Sequence, residues 1–475
     1  MRANKSFFLN LFRVGLSNIF ILSSQVLVGL ALPKILSVNN FGLYRKFMLY
    51  ATYISLLHFG FVDGILIKYG GKDIESINKL EFRTILRFFL FIEFTIGLTI
   101  ILTSLLFLNG SYKVIFILLG IYSFLLNSVT FYQFFSQALF KFKVLSWINE
   151  IQAILISISI ILLIILKAFK FNVRYNNYLY LFISVYFIIF IIYFFYYREY
   201  LFGKNSRLSE VKGKIIELFR TGIIVTSAYQ LANITLNFDN QLVSMLFGNS
   251  EFAIYSFAYN LVSIIISVVL AISTVLFPYL NKQGKDKTIL QYSRNSELML
   301  FFVYFLLVFY YLVDVFIKLY LPAYASSLSY FRILLPGVAI TTSITTIIFN
   351  HYKVTKDINK YLVNGFFALL FTSLLNYFCY KAFHSIHSLA IASLLTLLFW
   401  YGIEDIYFRK KYKIKEYKHY LYILIMTITF EVITMTKNDI LGILGFVVLY
   451  FIISYILYPE RFGSLLKMLF KVQKV

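Results

Sequence analysis

The chain has 475 residues, of which 60% are hydrophobic and 14% charged, and its mean hydropathy is +0.80. Soluble domains usually have about 25% charged residues, so this composition excludes a soluble protein. The net charge of +23 would indicate a nucleic-acid partner in a soluble protein. Here most basic residues fall in alternate loops between apolar blocks, so we predict no nucleic-acid partner and expect membrane lipids as neighbours.

Fourteen apolar blocks run along the chain, and each can form a helix of about 20 residues, which spans a bilayer core of about 30 Å. The predicted fold class is therefore an all-α polytopic membrane protein. The thirteenth block, Tyr420–Met435, is the weakest because it is short and carries Glu431, so twelve spans is the alternative count. Pro336 predicts a kink in the tenth block. The positive-inside rule places the basic loops and both termini in the cytoplasm.

A short internal repeat suggests two halves. Leu11–Gly15 (LFRVG) opens the first block and Leu218–Gly222 (LFRTG) opens the seventh. Each is followed, at the next block, by a Phe-x-x-Tyr motif, at Phe41–Tyr44 and Phe252–Tyr255. The predicted domains are an N-terminal six-helix lobe at residues 1–205, a C-terminal six-helix lobe at 206–415, and two extra helices with a tail at 416–475.

Polar residues form stripes inside two of the blocks. In the seventh block, at Phe219–Phe247, they recur at alternating spacings of four and three, which places them on one helix face: Thr226, Gln230, Asn233, Asn237, Asn240 and Ser244. The fourth block has a looser stripe of Ser123, Asn127, Thr130, Gln133 and Gln137. Such stripes either form hydrogen bonds between helices or line a polar cavity. Their presence on more than one block favours the cavity.

Basic residues at two places are candidates for holding an anion. Arg45 and Lys46 lie at the predicted outer end of the second block, where positive charge is unusual, and guanidinium groups match phosphate oxygens. The alternative is that both side chains extend to the lipid headgroups. Arg13 and Arg220 are matched in the repeat at the predicted cytoplasmic entrance, where topology explains them as well as substrate does.

Carboxylates inside a membrane are costly and often functional. Asp63 lies near the cytoplasmic end of its block, close to Lys68, which favours a solvated position. Asp239 lies deeper, where it either pairs with a neighbouring helix, the interpretation we favour, or binds a coupling proton or cation. The other candidates of this kind are Glu93, Glu150, Asp314 and Glu431.

Enzyme motifs are missing from the sequence. It contains no phosphate-binding glycine loop, no HExxH and no nucleophile elbow. We therefore predict a protein that is not an enzyme, with no catalytic residue and no metal site.

The segment Phe41–Asp73 resembles the second-span signature of Wzx-type polysaccharide repeat-unit flippases, which belong to the multidrug/oligosaccharidyl-lipid/polysaccharide (MOP) exporter superfamily. The residues that carry the resemblance are Gly60, Asp63, Gly64, Lys68, Tyr69, Gly70 and Gly71. The resemblance implies two six-helix lobes around a central cavity plus two C-terminal helices, and transport by alternating access.

The resemblance also implies a function. The substrate would be an undecaprenyl-diphosphate-linked oligosaccharide of O-antigen or capsule synthesis, moved to the outer leaflet of the bacterial cytoplasmic membrane. No cofactor is implied, but H⁺ or Na⁺ coupling or the membrane potential would drive transport, and a polysaccharide polymerase and other assembly proteins are candidate partners. Basic residues would hold the diphosphate and amides the sugar: Arg13, Arg45, Lys46 and Arg220, with Gln133, Gln137, Gln230, Asn233, Asn237 and Asn240. Asp63 and Asp239 are the candidate ion-coupling residues.

Three alternatives remain. A lipid II flippase moves the same carrier, and a drug/cation antiporter of the same superfamily shares the architecture but is expected to carry unpaired carboxylates in its cavity. A membrane polysaccharide polymerase or glycosyltransferase is the least favoured, because the predicted outer loops are too short to build a catalytic site.

Overall fold

The computed structural model describes residues 2–71, 75, 77–273, 280, 283–415, 418–436 and 439–463, and every regular element in these ranges is helical. The α-helices are α1 (Arg2–Ile35), α2 (Val38–Ile54), α3 (Phe61–Tyr69), α4 (Lys79–Phe107), α5 (Gly110–Ala138), α6 (Phe142–Ala168), α7 (Tyr175–Tyr196), α8 (Leu208–Leu236), α9 (Phe238–Leu246), α10 (Asn249–Ser273), α11 (Lys285–Leu290), α12 (Tyr292–Leu306), α13 (Phe309–Tyr320), α14 (Ser327–Leu334), α15 (Gly337–Thr342), α16 (Phe349–Thr355), α17 (Ile358–Phe383), α18 (Ile386–Tyr412), α19 (Lys418–Thr434) and α20 (Asp439–Leu457).

Ten helical stretches of the described residues are long and apolar enough to cross a membrane, and two bent pairs raise the number to twelve if each pair is one span. The predicted all-α polytopic membrane fold is therefore confirmed. Two of the fourteen predicted blocks do not reach this criterion. The seventh block is divided between α8 and α9, and the thirteenth forms α19, which has only 17 residues.

Both bends have a local cause in the sequence. Ser327–Leu334 and Gly337–Thr355 meet at 43°, where Pro336 removes a backbone donor, so the predicted kink is confirmed. Val38–His58 and Phe61–Tyr69 meet at 56°. There the left-handed backbone of Phe59 (φ 47°) and Gly60 (φ 82°) ends one helix before the next begins.

The described residues form two compact units. Unit 1 comprises Met1–Ile234 and Asn240–Ser256, and unit 2 comprises Thr235–Asp239 and Phe257–Val475. The lobes at 1–205 and 206–415 stay a prediction. In unit 1, α5 contacts α2, α3, α4, α6 and α7. An aromatic stack fills the space between α3, α4 and α5, with ring centroids 5.1 Å apart for Phe61 and Phe89 and 4.9 Å apart for Phe89 and Phe131.

Unit 2 contains a buried charged cluster centred on Arg409, whose side chain is fully buried. Arg409 Nε donates to Asp405 Oδ2 at 2.7 Å, and its other nitrogens reach Ser293 Oγ at 3.2 Å and His419 Nδ1 at 3.0 Å. The hydroxyl of Tyr292 donates to the other Asp405 oxygen at 2.7 Å. These bonds join α12, α18 and the start of α19.

The cluster continues from His419 to a second ion pair. Because the Arg409 guanidinium can only donate, His419 Nδ1 accepts, and the ring is neutral with its proton on Nε2. That nitrogen lies 3.2 Å from the Ser293 carbonyl oxygen and 3.4 Å from Glu297 Oε1. Glu297 is buried and pairs with Arg461. The cluster therefore fastens α19 and the residues after α20 to α12 and α18.

Candidate functional site

Lys46, in α2, is a buried cation. Its side chain is 3% exposed, and its ammonium nitrogen donates to the Tyr112 hydroxyl at 2.6 Å. The same nitrogen lies 4.9 Å from the centre of the Tyr112 ring and 6.0 Å from that of Phe252. Among the described residues no carboxylate pairs with it. Burying a charge is expensive unless a partner compensates it, so this position suits an anion.

Arg45 lies beside Lys46 and has aromatic surroundings of its own. Its side chain hydrogen-bonds to Tyr44, and its buried Nε has no partner within the described ranges. Tyr44 packs edge-on against Tyr178, with ring centroids 5.3 Å apart. Consecutive residues of a helix point about 100° apart. The predicted cluster is therefore two adjacent cations with different neighbours.

The polar stripe of the seventh block is shorter than predicted. The helix is interrupted at Asn237, between α8 and α9, so a single helix face does not connect all six residues. This corrects the predicted continuous stripe; Asn side chains compete with the helix for backbone hydrogen bonds, which favours a break here. Gln230 and Asn240 are 1% and 3% exposed, and their side-chain oxygens have no partner in the described part of the chain. Asn233 and Asn237 are half-buried.

The stretch around Asp63 is where α3 meets α8. Thr226 Oγ1 donates to Asp63 Oδ2, and Lys68 pairs with Glu217 of α8. Asp63 is half-buried, so its predicted solvated position at the interface stays a prediction; Lys68, the nearby cation, has a different carboxylate as its partner.

Glycines allow α3 and α8 to approach at backbone distance. A Cβ at Gly222 would collide with the Gly60 carbonyl oxygen, and a Cβ at Gly64 would collide with the Leu218 carbonyl oxygen. Phe61 and Phe219 pack beside this crossing with ring centroids 5.0 Å apart. This close approach explains why glycines occupy positions 60 and 64, on either side of Asp63.

Replacing Gly222 with alanine is expected to destabilise unit 1 by about 1–3 kcal/mol, because the new methyl group meets rigid backbone. Gly213→Ala is the matched control on the same helix, since a methyl group at that position would meet no atom within 4 Å beyond the neighbouring backbone of its own helix. That control should be neutral or slightly stabilising, because alanine favours a helix by about 1 kcal/mol over glycine. Denaturant unfolding in detergent measures both; equal stability of the two variants would contradict the close crossing.

The remaining predicted substrate residues are dispersed over unit 1. Gln133 of α5 donates to Asn149 of α6 at 3.2 Å, and Gln137 is half-buried. Arg13 is half-buried and Arg220 is exposed on α8. The side chains of Gln137, Arg13 and Arg220 make no hydrogen bond within the described ranges, and their contact with a substrate stays a prediction.

Asp239, in unit 2, is 2% exposed and accepts a hydrogen bond from the Tyr259 hydroxyl at 2.6 Å. This contact with α10 agrees with the interpretation that Asp239 pairs with a neighbouring helix. Its role in ion coupling stays a prediction.

A carboxylate with little support from its sequence context is the most buried of the described carboxylates in unit 1. Glu93 of α4 is 0% exposed, and Asn127 Nδ2 of α5 donates to its Oε2 at 2.7 Å. In the sequence, the position of both residues inside apolar blocks is what marks them as unusual. The spacing of residues along one helix does not indicate that they pair across two helices.

Comparisons with known proteins agree with this architecture. A family model described as "Polysaccharide biosynthesis protein" matches residues 10–284. An outward-facing multidrug resistance MATE family transporter of the MOP superfamily is 12% identical with a TM-score of 0.59, covering 85% of this chain and 95% of that one. An inward-facing one is 13% identical with a TM-score of 0.60, covering 83% and 98%.

A third solved structure is a MOP superfamily transporter from Pyrococcus furiosus, described as having a binding pocket of reverse polarity. It is 14% identical with a TM-score of 0.60, and 85% of this chain and 95% of that one are covered. No curated protein sequence matches the chain. At these identities the structural likeness shows the fold alone, and that fold is shared with these transporters.

Proposed function

The chain belongs to the polysaccharide biosynthesis protein family, and from this premise we propose that it is a flippase, a transporter rather than an enzyme. It moves undecaprenyl-diphosphate-linked oligosaccharide repeat units from the inner to the outer leaflet of the bacterial cytoplasmic membrane, with both termini in the cytoplasm. Alternating access, driven by an ion gradient or the membrane potential, carries the substrate across. The units supply O-antigen or capsule synthesis, and a polysaccharide polymerase receives them.

The observation that carries the proposal is the buried ammonium of Lys46, which has a tyrosine but no carboxylate as its partner among the described residues. A cation in this setting favours an anionic ligand, and a diphosphate brings several acceptor oxygens. Arg45 adds a second cation, whose Nε has no partner among the described residues. Arg13 and Arg220 are the proposed contacts of the diphosphate at the cytoplasmic entrance.

The amides provide contacts for the sugar. Gln230 and Asn240 have buried side-chain oxygens without a protein donor in the described ranges, and sugar hydroxyls are donors that fit them. The other proposed sugar contacts are Gln133, Gln137, Asn233 and Asn237. Amides bind neutral hydroxyls in either orientation, which suits an oligosaccharide better than a cationic drug.

The proposal is tested by deleting the gene and locating the polyprenyl-linked glycans. We expect complete single repeat units to accumulate on the cytoplasmic leaflet and to disappear when the gene is restored. Three other outcomes would contradict it. Unpolymerised units on the outer leaflet would indicate a polymerase, trapped lipid II would indicate the cell-wall precursor as substrate, and unchanged glycans with altered drug sensitivity would indicate a drug/cation antiporter.

A further inference from the structure

Glu93 has an incomplete set of partners. Its Oε2 accepts from Asn127 Nδ2, but its Oε1 is buried and has no partner in the described part of the chain. The side-chain oxygen of Asn127 is also buried without a partner among the described residues. The same holds for the hydroxyl oxygen of Ser123, one helical turn earlier on α5. A buried carboxylate with a free oxygen is expensive when ionised, and adding a proton removes the charge.

Unit 2 contains a similar pair of a buried carboxylate and an amide, in which both carboxylate oxygens have a donor. Glu404 of α18 is also 0% exposed, and Asn364 Nδ2 donates to its Oε2 at 2.9 Å. Its other oxygen accepts from the Trp400 indole at 3.3 Å. Both Glu404 oxygens are therefore satisfied, as expected for a structural group. The Glu93 pair lacks this second donor.

The Glu93 pair also lies against the break between α2 and α3. Asn127 Nδ2, besides its bond to Glu93, is 3.4 Å from the carbonyl oxygen of Ile54, the last residue of α2. A 3₁₀ segment, Ser55–His58, follows directly. On the other side of that segment, Ser55 Oγ accepts from Gln230, one of the proposed sugar contacts on α8. The break is thus held by a buried carboxylate pair on one side and by the amide stripe on the other.

We propose that Glu93 takes up and releases the proton that accompanies transport, and that its charge changes the angle of the bend between α2 and α3. This inference rests on the proposed function and identifies its coupling site. When Glu93 is ionised, its hydrogen bond with Asn127 is charge-assisted and holds the amide. When it binds a proton from the water on one side of the membrane, that bond weakens to a neutral one, about half as strong. The amide is then free to move toward Ile54.

A proton fits this site better than a metal ion. Hard cations need several oxygen ligands, and the contacts of Glu93 and Asn127 supply one carboxylate, one amide and one distant carbonyl. The titratable groups on the elements packed against α4 are the following. His58 lies in the 3₁₀ segment and accepts from the Gly60 amide; α5 carries Tyr112, Lys113, Tyr122 and Tyr132, and α3 carries Asp63, Lys68 and Tyr69. At the other end of α4 lie Arg198, Glu199 and Tyr200.

The test uses purified full-length protein without substrate. The single cysteine, Cys379, is replaced by serine, and spin labels are placed at Ile67→Cys on α3 and Phe94→Cys on α4, both exposed positions. We expect the label-to-label distance to shift between acidic and alkaline buffer. Glu93→Gln should keep the acidic distance at every pH, because glutamine mimics the neutral acid. The control Glu210→Gln, at an exposed carboxylate, should respond like the parent.

Infrared difference spectroscopy over the same pH change gives a second readout. The parent should lose one carboxylic-acid band on alkalinisation, and Glu93→Gln should lack that band. Glu93→Asp should keep the response with a moved midpoint, which provides a test if the glutamine variant does not fold. A pH response unchanged in Glu93→Gln, or a distance that follows Na⁺ at constant pH, would overturn the proposal. Neither readout needs a glycan, so failure of the flippase function would be recognised separately.

Discussion

Replacing Lys46 with methionine is expected to reduce delivery of repeat units to the outer leaflet about 10- to 100-fold. A hydrogen bond from a charged donor contributes about 1.5–3 kcal/mol, which corresponds to this range. Methionine keeps the length of the side chain and removes the ammonium group that donates to Tyr112. The measurement is the amount of outer-leaflet glycan in a deletion strain that carries the variant.

Two controls separate ligand binding from folding. Lys170→Met removes an exposed lysine and should transport normally. The Lys46→Met protein itself should be as stable as the parent or more stable, because an uncompensated buried charge has been removed. Normal transport by Lys46→Met would remove the main support for a diphosphate site in α2, and a large loss of stability would assign Lys46 a structural role.

Replacing Arg409 with methionine should destabilise unit 2 by about 3–5 kcal/mol, because the buried Asp405 is left without its cation. Asp405 is 3% exposed and its second oxygen has only the Tyr292 hydroxyl as a partner among the described residues. Denaturant unfolding in detergent measures the loss. Lys410→Met changes the exposed neighbour on the same helix and should stay within about 0.5 kcal/mol of the parent.

The double variant Asp405→Leu with Arg409→Met tests whether the unpaired carboxylate causes the loss of stability. Replacing a whole buried ion pair by apolar side chains is often neutral or stabilising, so this protein should recover most of the lost stability. If the double variant is as unstable as Arg409→Met alone, the loss comes from the bonds to Ser293 and His419 rather than from the unpaired carboxylate.

The class of this protein follows from the sequence because hydrophobicity is a property of each segment by itself. Apolar blocks of membrane length predict helices wherever they occur, since a helix satisfies its own backbone in lipid. The kink at Pro336 is predictable for the same reason, because proline removes a donor within its own helix. Two blocks deviate: the seventh is interrupted at Asn237, and the thirteenth forms a helix of only 17 residues.

The partners of the polar residues could only come from the tertiary structure. Lys46 and Tyr112 are 66 residues apart, Asp63 and Thr226 are 163 apart, and Glu93 and Asn127 are 34 apart. Helical periodicity indicates which residues share a face but not which helix lies opposite. In a membrane, hydrophobicity does not choose among neighbouring helices either, and one tyrosine among 39 carries no signal of its own. Close packing at Gly60 and Gly222 shows where α3 and α8 meet, and such a contact is formed only in the folded protein.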